Sequence, residues 1–118
     1  MMMDWNEYMK QVLGGVGDLA KLSPDTVHGY MTLSKAGAKT NHLDEKTRQL
    51  ISIAVAVTTR CDGCITIHTA AALKAGATKD EISEALGVAV AMNAGAALVY
   101  SVRALDAVAA HSGQTAGS

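Results

Sequence analysis

The stretch RCDGCITIH, residues 60–68, holds both cysteines of the chain, with a histidine four residues after the second. On a helix, Cys61, Cys64 and His68 stand at i, i+3 and i+7 and fall within about 60° of one another, on one narrow stripe. His68 is then one turn beyond Cys64, within reach of its sulfur. Cys61 stands at or next to the helix start, where unsatisfied N–H groups stabilise a thiolate. An isolated thiol with a pKa of about 8.5 is only a few per cent ionised at neutral pH, and a helix terminus or a neighbouring imidazole raises that fraction. The spacing thus supplies a nucleophile, a resolving thiol and a base.

Two other readings use the same residues. Structural zinc needs four ligands, and this stripe offers three. A fourth would have to be His28, His42 or His111, none at ligand-like spacing, or a residue of another subunit. Ile65 and Ala72 share the stripe, so the face also suits a pair of buried free thiols with a satisfied core histidine.

The elements that carry this motif read as helices. Ser23 and Pro24 form an N-cap and first helical position, and Gly37 is placed to end that helix. Asp44 caps the next, which runs through DEKTRQLISIAVAVTTR with acidic residues in its first turn, where the helix dipole favours them. Gly76 suits a helix C-terminus, and Thr78 with Glu81 makes a capping box. The helix that follows is expected to run to about Ala94, with Gly95 separating it from a last helix ending near Ala110. Residues 4–22 read as a weaker helix broken at Gly14 and Gly15, and residues 111–118 as a disordered tail.

The β-branched run LISIAVAVTT raises the alternative of a strand leading into C-x-x-C, the thioredoxin arrangement. Its capped, charged start favours a helix. The chain's one proline, Pro24, also lies upstream of the motif rather than beside the dithiol. The fold class is therefore all-α: a compact single-domain bundle of about six helices over residues 1–118, with the dithiol at the start of a central helix.

Composition limits the partners. Among the 118 residues, 49% are apolar, 3% are aromatic and none is Phe, so the core must be built from Ala, Val, Leu, Ile and Met. Such small side chains favour close helix packing and subunit contacts. A net charge of −1 gives no electrostatic reason to expect nucleic acid. Residues 85–102 carry no charge, but Gly87, Asn93, Gly95 and the prevalence of alanine and valine argue for a buried helix pair rather than a membrane span. The first ten residues lack the pattern of a secretory signal. The expected location is the cytoplasm, where a cysteine pair points to catalysis or metal rather than a structural bridge.

Residues 43–105, with the C-x-x-C-x-x-x-H core intact, resemble the alkylhydroperoxidase D-like members of the carboxymuconolactone decarboxylase superfamily. The resemblance implies an all-helical fold, an obligate homo-oligomer (trimer or hexamer), and thiol-dependent reduction of hydroperoxides without a cofactor. Carried over by position, Cys64 attacks the peroxide, His68 is its proton partner and Cys61 resolves. The resulting Cys61–Cys64 disulfide would be reduced by an external dithiol, a lipoyl domain or a thioredoxin-like donor. Two positions depart from the family pattern. The glutamate expected twelve residues before the first cysteine is Gln49, and the histidine that one branch places before the second cysteine is Gly63. Glutamine holds a hydrogen bond but cannot act as a base. Asp62 and Glu45 are the acids near enough in sequence to compensate. A redox sensor without turnover, and a decarboxylase or isomerase acting on a lactone, are the alternative functions.

Overall fold

In the computed structural model, residues 1–113 are described, and the regular structure among them is entirely helical. Six helices follow in order: α1 (Trp5–Leu22), α2 (Pro24–Ser34), α3 (Ala36–Thr40), α4 (Glu45–Thr59), α5 (Asp62–Lys74) and α6 (Lys79–His111). Of the tail expected to be disordered, His111 ends α6 and Ser112 caps it; residues 114–118 lie outside the described residues.

The expected caps form where they position the site. The Asp44 carboxylate accepts from the Thr47 N–H at 2.8 Å and starts α4. The Thr78 hydroxyl accepts from the Glu81 N–H at 3.1 Å, while the Glu81 carboxylate accepts from the Thr78 N–H at 2.9 Å. Those reciprocal bonds satisfy two of the orphan donors at the start of α6. Gly76, at φ 92°, turns the chain between α5 and α6 in a conformation few side chains tolerate. Between α4 and α5 it is Arg60, at φ 56°, that adopts the left-handed conformation. A residue with a Cβ pays roughly 1–2 kcal/mol for this. The turn lets Cys61 enter extended and α5 fold back on α4.

Three expected helix boundaries are corrected. Helix α1 runs unbroken through Gly14 and Gly15 because its Asp4 cap and apolar stripe outweigh about 1 kcal/mol of propensity lost per glycine. Gly37 does not end α2, which stops at Ser34; it lies inside α3, where a Cβ would stand 2.9 Å from Arg48 Cδ. The left-handed cap there is Asn41, at φ 52°. Gly95 does not divide the last helices, since no capping residue or proline follows it and its alanine neighbours favour continuation.

The core lies where α4, α5 and α6 meet: Ile53, Ala72 and Ala77 are buried, with Leu50, Ile82 and Leu86 packed against them. Helix α1 lies along α5, and the Thr66 hydroxyl donates to the Trp5 carbonyl at 3.2 Å. Beyond that core, helix α6 packs mainly on α4. At 1.5 Å per residue α6 is about 50 Å long and α4 about 22 Å, so α4 covers less than half of it. The expected buried helix pair is thus a single helix whose buried residues are Ala89 and Ala109, with Leu98, Val102 and Leu105 exposed. By length and composition it is also long and apolar enough to cross a membrane. The chain extends over 58 × 38 × 36 Å with a radius of gyration of 19.7 Å, against about 13.5 Å for a closely packed chain of this length.

Candidate active site

Cys61 is the N-cap of α5, Cys64 its third residue, and His68 stands one turn further on. The two sulfurs are joined in a disulfide, with Cα atoms 5.2 Å apart. Cys61 Sγ also accepts from the Cys64 N–H at 3.2 Å, filling the place of a capping oxygen. A thiolate at Cys61 would therefore meet a backbone donor and the positive end of α5. Both cysteines are half-buried.

His68 faces α4. Its Nδ1 lies 2.7 Å from Gln49 Oε1, and Gln49 Nε2 donates to Glu45 Oε1 at 2.8 Å. The other oxygen, Glu45 Oε2, accepts from Arg48 Nη2 at 2.8 Å. Arg48 is tied in turn by Nη1 to Asn41 Oδ1 at 3.1 Å and to the Leu43 carbonyl. Sequence reading named Gln49 and, as a possible substitute acid, Glu45; it missed Arg48. The signal was present, because Glu45 and Gln49 are i and i+4 and Arg48 is i+3, all on one face of α4. Asp62, the other acid considered, is exposed at the first position of α5 and takes no part in this chain of bonds.

The electrostatics follow the geometry. Burial pushes the His68 imidazole below its ordinary value, while the Glu45 charge pulls it the other way. Hydrogen bonds from Gln49 and then Arg48 hold the Glu45 carboxyl below the usual range. Burial thus favours the neutral imidazole, the form that can act as a base.

Two clefts share His68. One of about 560 Å³ is lined by Tyr30, Lys35, Glu45, Arg48 and Gln49 as well as His68. The other, about 270 Å³, is lined by Ile51, Val55, Ala56, Thr59, Cys64 and His68, and is the one that reaches sulfur. Cys61 does not line it. Among the described residues His68 bonds to Gln49 and to neither sulfur, so the expected one-turn proximity is a shared cleft rather than a hydrogen bond in this oxidised state. Among the described residues no three His, Cys, Asp or Glu side chains gather as metal ligands.

Gly63 lies under α1, with Val12 methyl carbons 3.5 and 3.7 Å from where a Cβ would stand. A Cβ there would make ordinary van der Waals contact with Val12.

Residues 24–107 match the carboxymuconolactone decarboxylase family. An uncharacterized protein from Haemophilus influenzae is 50% identical over 107 residues, covering 91% of this chain and 95% of its own. Uncharacterized protein 4 in the cox locus of Paracoccus denitrificans is 36% identical, covering 82% of this chain and 87% of its own. The apo crystal structure of a carboxymuconolactone decarboxylase family protein from Legionella pneumophila superposes with a TM-score of 0.71 at 36% identity, over 87% of this chain and 92% of that one. The helical fold, the dithiol at the head of α5 and the match across α2 to α6 together make this chain a member of the carboxymuconolactone decarboxylase family.

Proposed function

We infer that the protein is a thiol-dependent hydroperoxide reductase. The observation that carries this reading is the placement of Cys64 and His68 on one small, largely apolar cleft, with Cys61 capping the helix beside it. In the reduced protein His68 takes the Cys64 proton. The thiolate attacks the outer peroxide oxygen, breaking the O–O bond and giving a Cys64 sulfenic acid. The alkoxide takes the proton from His68 and leaves as an alcohol. Cys61 then attacks the sulfenic sulfur, water leaves, and the disulfide forms. An external dithiol, lipoyl or thioredoxin-like, attacks Cys64 in the cleft, with Cys61 leaving as the thiolate that the Cys64 N–H stabilises. The donor's second thiol then attacks the donor sulfur of this mixed disulfide, releasing Cys64 and leaving the donor as a disulfide. Ile51, Val55 and Ala56 favour an organic hydroperoxide over a small polar one.

The working unit in this reading is a cytoplasmic homo-oligomer, a trimer or hexamer, with α6 as its main subunit contact. The chain exposes 8954 Å² where a folded monomer of its mass exposes about 6,100 Å². The excess is of the size that obligate subunit interfaces bury. A helix apolar on all sides needs cover, and the family match takes in most of α6.

The test is a single turnover. Reduced protein mixed with one equivalent of cumene hydroperoxide should lose two titratable thiols, yield one equivalent of cumyl alcohol and give the Cys61–Cys64 disulfide by mass spectrometry. Unmodified thiols, or only over-oxidised ones, would rule the reading out. Disulfide formation without repeated turnover would leave a redox sensor, which the replacement of the family glutamate by Gln49 favours as the second reading.

A further inference from the structure

The reading above leaves His68 with an amide, not an acid, as its partner. A neutral imidazole has two tautomers, and only one serves as base toward the sulfur cleft. If Nδ1 carries the proton, Nε2 has a free lone pair; in the reverse case Nε2 is a donor and cannot accept the thiol proton. A glutamine by itself specifies neither, because its side chain can turn to offer oxygen or nitrogen at nearly the same position.

Glu45 removes that freedom. An ionised carboxylate accepts and never donates. Its Oε2 is occupied by Arg48, and its Oε1 faces Gln49 at 2.8 Å. Gln49 must therefore present its NH₂ group to Glu45 and its oxygen to His68. An oxygen 2.7 Å from Nδ1 in turn requires Nδ1 to carry the hydrogen. Arg48 keeps the carboxylate ionised and in place, and is itself anchored on the segment before α4 by Asn41 and the Leu43 carbonyl. The order of donors is fixed from the charged end to the imidazole.

We propose that Glu45 is a positioning residue of this site, which acts through the Gln49 amide to hold His68 in the Nδ1–H tautomer and leave Nε2 as the base beside Cys64. The amide transmits orientation and does not itself carry the proton, so the proton taken from the thiol returns to the leaving alkoxide from Nε2. Glu45 thus supplies, one helical turn earlier, the acid that position 49 lacks. This inference rests on the thiol-based reading for its consequence, though not for its geometry.

The test is the tautomer, read directly from long-range ¹H–¹⁵N spectra of His68 at a pH above its titration. The wild type should show predominantly Nδ1–H. In Glu45→Gln, where the partner both donates and accepts, the Nε2–H form should become substantial. Cys64 alkylation by iodoacetamide in the reduced protein should then slow by about threefold to tenfold, a small part of what a positioned general base supplies. Glu45 is exposed, and circular dichroism checks that the variant keeps the wild-type helix content. A second variant, Gln49→Met, cuts the same connection and should shift the tautomer equally, with no further shift in the double variant. An unchanged Nδ1–H tautomer in both variants overturns the proposal. A tautomer shift in a protein that reduces no hydroperoxide would support the positioning role and refute the peroxidase reading, so the two failures are distinct.

Discussion

Replacing Gln49 by glutamate restores the residue type that the family pattern calls for, but the structure makes it more than a restoration. One oxygen of the new carboxyl would accept from His68 Nδ1–H, as Gln49 Oε1 does at 2.7 Å. The other would replace Nε2, 2.8 Å from Glu45 Oε1, so two acceptors would face each other where a donor and an acceptor now meet. Two unit charges about 4 Å apart repel by about 1 kcal/mol in water and about 4 kcal/mol at a partly buried site. Glu45 is solvent-exposed, which places the repulsion toward the lower figure and raises one carboxyl by roughly one pKa unit or more. The two acids would titrate as a pair. At neutral pH the charge would still move next to the imidazole instead of acting through an amide. A gain of about one pKa unit for His68 corresponds to a tenfold larger stabilisation of the imidazolium–thiolate pair. In the Gln49→Glu variant, iodoacetamide alkylation of Cys64 near pH 7 should therefore rise roughly tenfold, with an added dependence on pH below neutrality from the carboxyl pair. The double variant Glu45→Gln, Gln49→Glu restores one acid and one amide in reverse order; it should keep the gain and lose the added pH dependence. All of it should vanish in a His68→Ala background. Unchanged alkylation in Gln49→Glu, with His68→Ala abolishing reactivity, would refute the argument that position 49 acts on the imidazole.

Three further outcomes follow from the same geometry. Burial depresses His68 in the folded chain, so folding stability should be full above its unfolded value of 6.5 and fall as pH drops through and below it, because the unfolded state binds the proton first; urea midpoints at pH 7.5, 6.0 and 5.0 check this, and His68→Gln should remove that part of the loss. Thr78→Ala removes the hydroxyl that accepts from the Glu81 N–H at the head of α6, leaving only the backbone bond to the Glu81 carboxylate, and should cost about 1 kcal/mol, measured by chemical denaturation. Leu98→Glu places a charge on the exposed apolar length of α6 and should convert the expected oligomer to smaller species by light scattering, whereas a wild-type monomer at micromolar concentration would contradict the assembly reading.

Much of the site was legible because its signals are local. The spacing of Cys61, Cys64 and His68, the caps at Asp44 and Thr78 and the turn at Gly76 all lie within one or two helical turns, and each forms as read. Glycine was the unreliable sign. Gly14, Gly15 and Gly95 sit inside helices with nothing near the place of a Cβ, and Gly37 makes room for Arg48 rather than ending a helix. Propensity there yields to neighbours that favour continuation, or to a tertiary contact that sequence does not display. For the same reason the acid of the site was nameable but not placeable: Glu45 and Asp62 are both near the motif in sequence, and only the packing of α4 on α5 distinguishes them.

Steady-state consumption of cumene hydroperoxide with dihydrolipoamide as reductant tests the central claim most directly, in wild type, Cys64→Ser and Cys61→Ser. The wild type should make many turnovers per chain and Cys64→Ser none above background. Cys61→Ser should undergo a single oxidation event that stops at a Cys64 sulfenic acid. Wild-type rates retained in Cys64→Ser, or a wild-type protein that consumes only one equivalent of peroxide despite excess reductant, would contradict that claim.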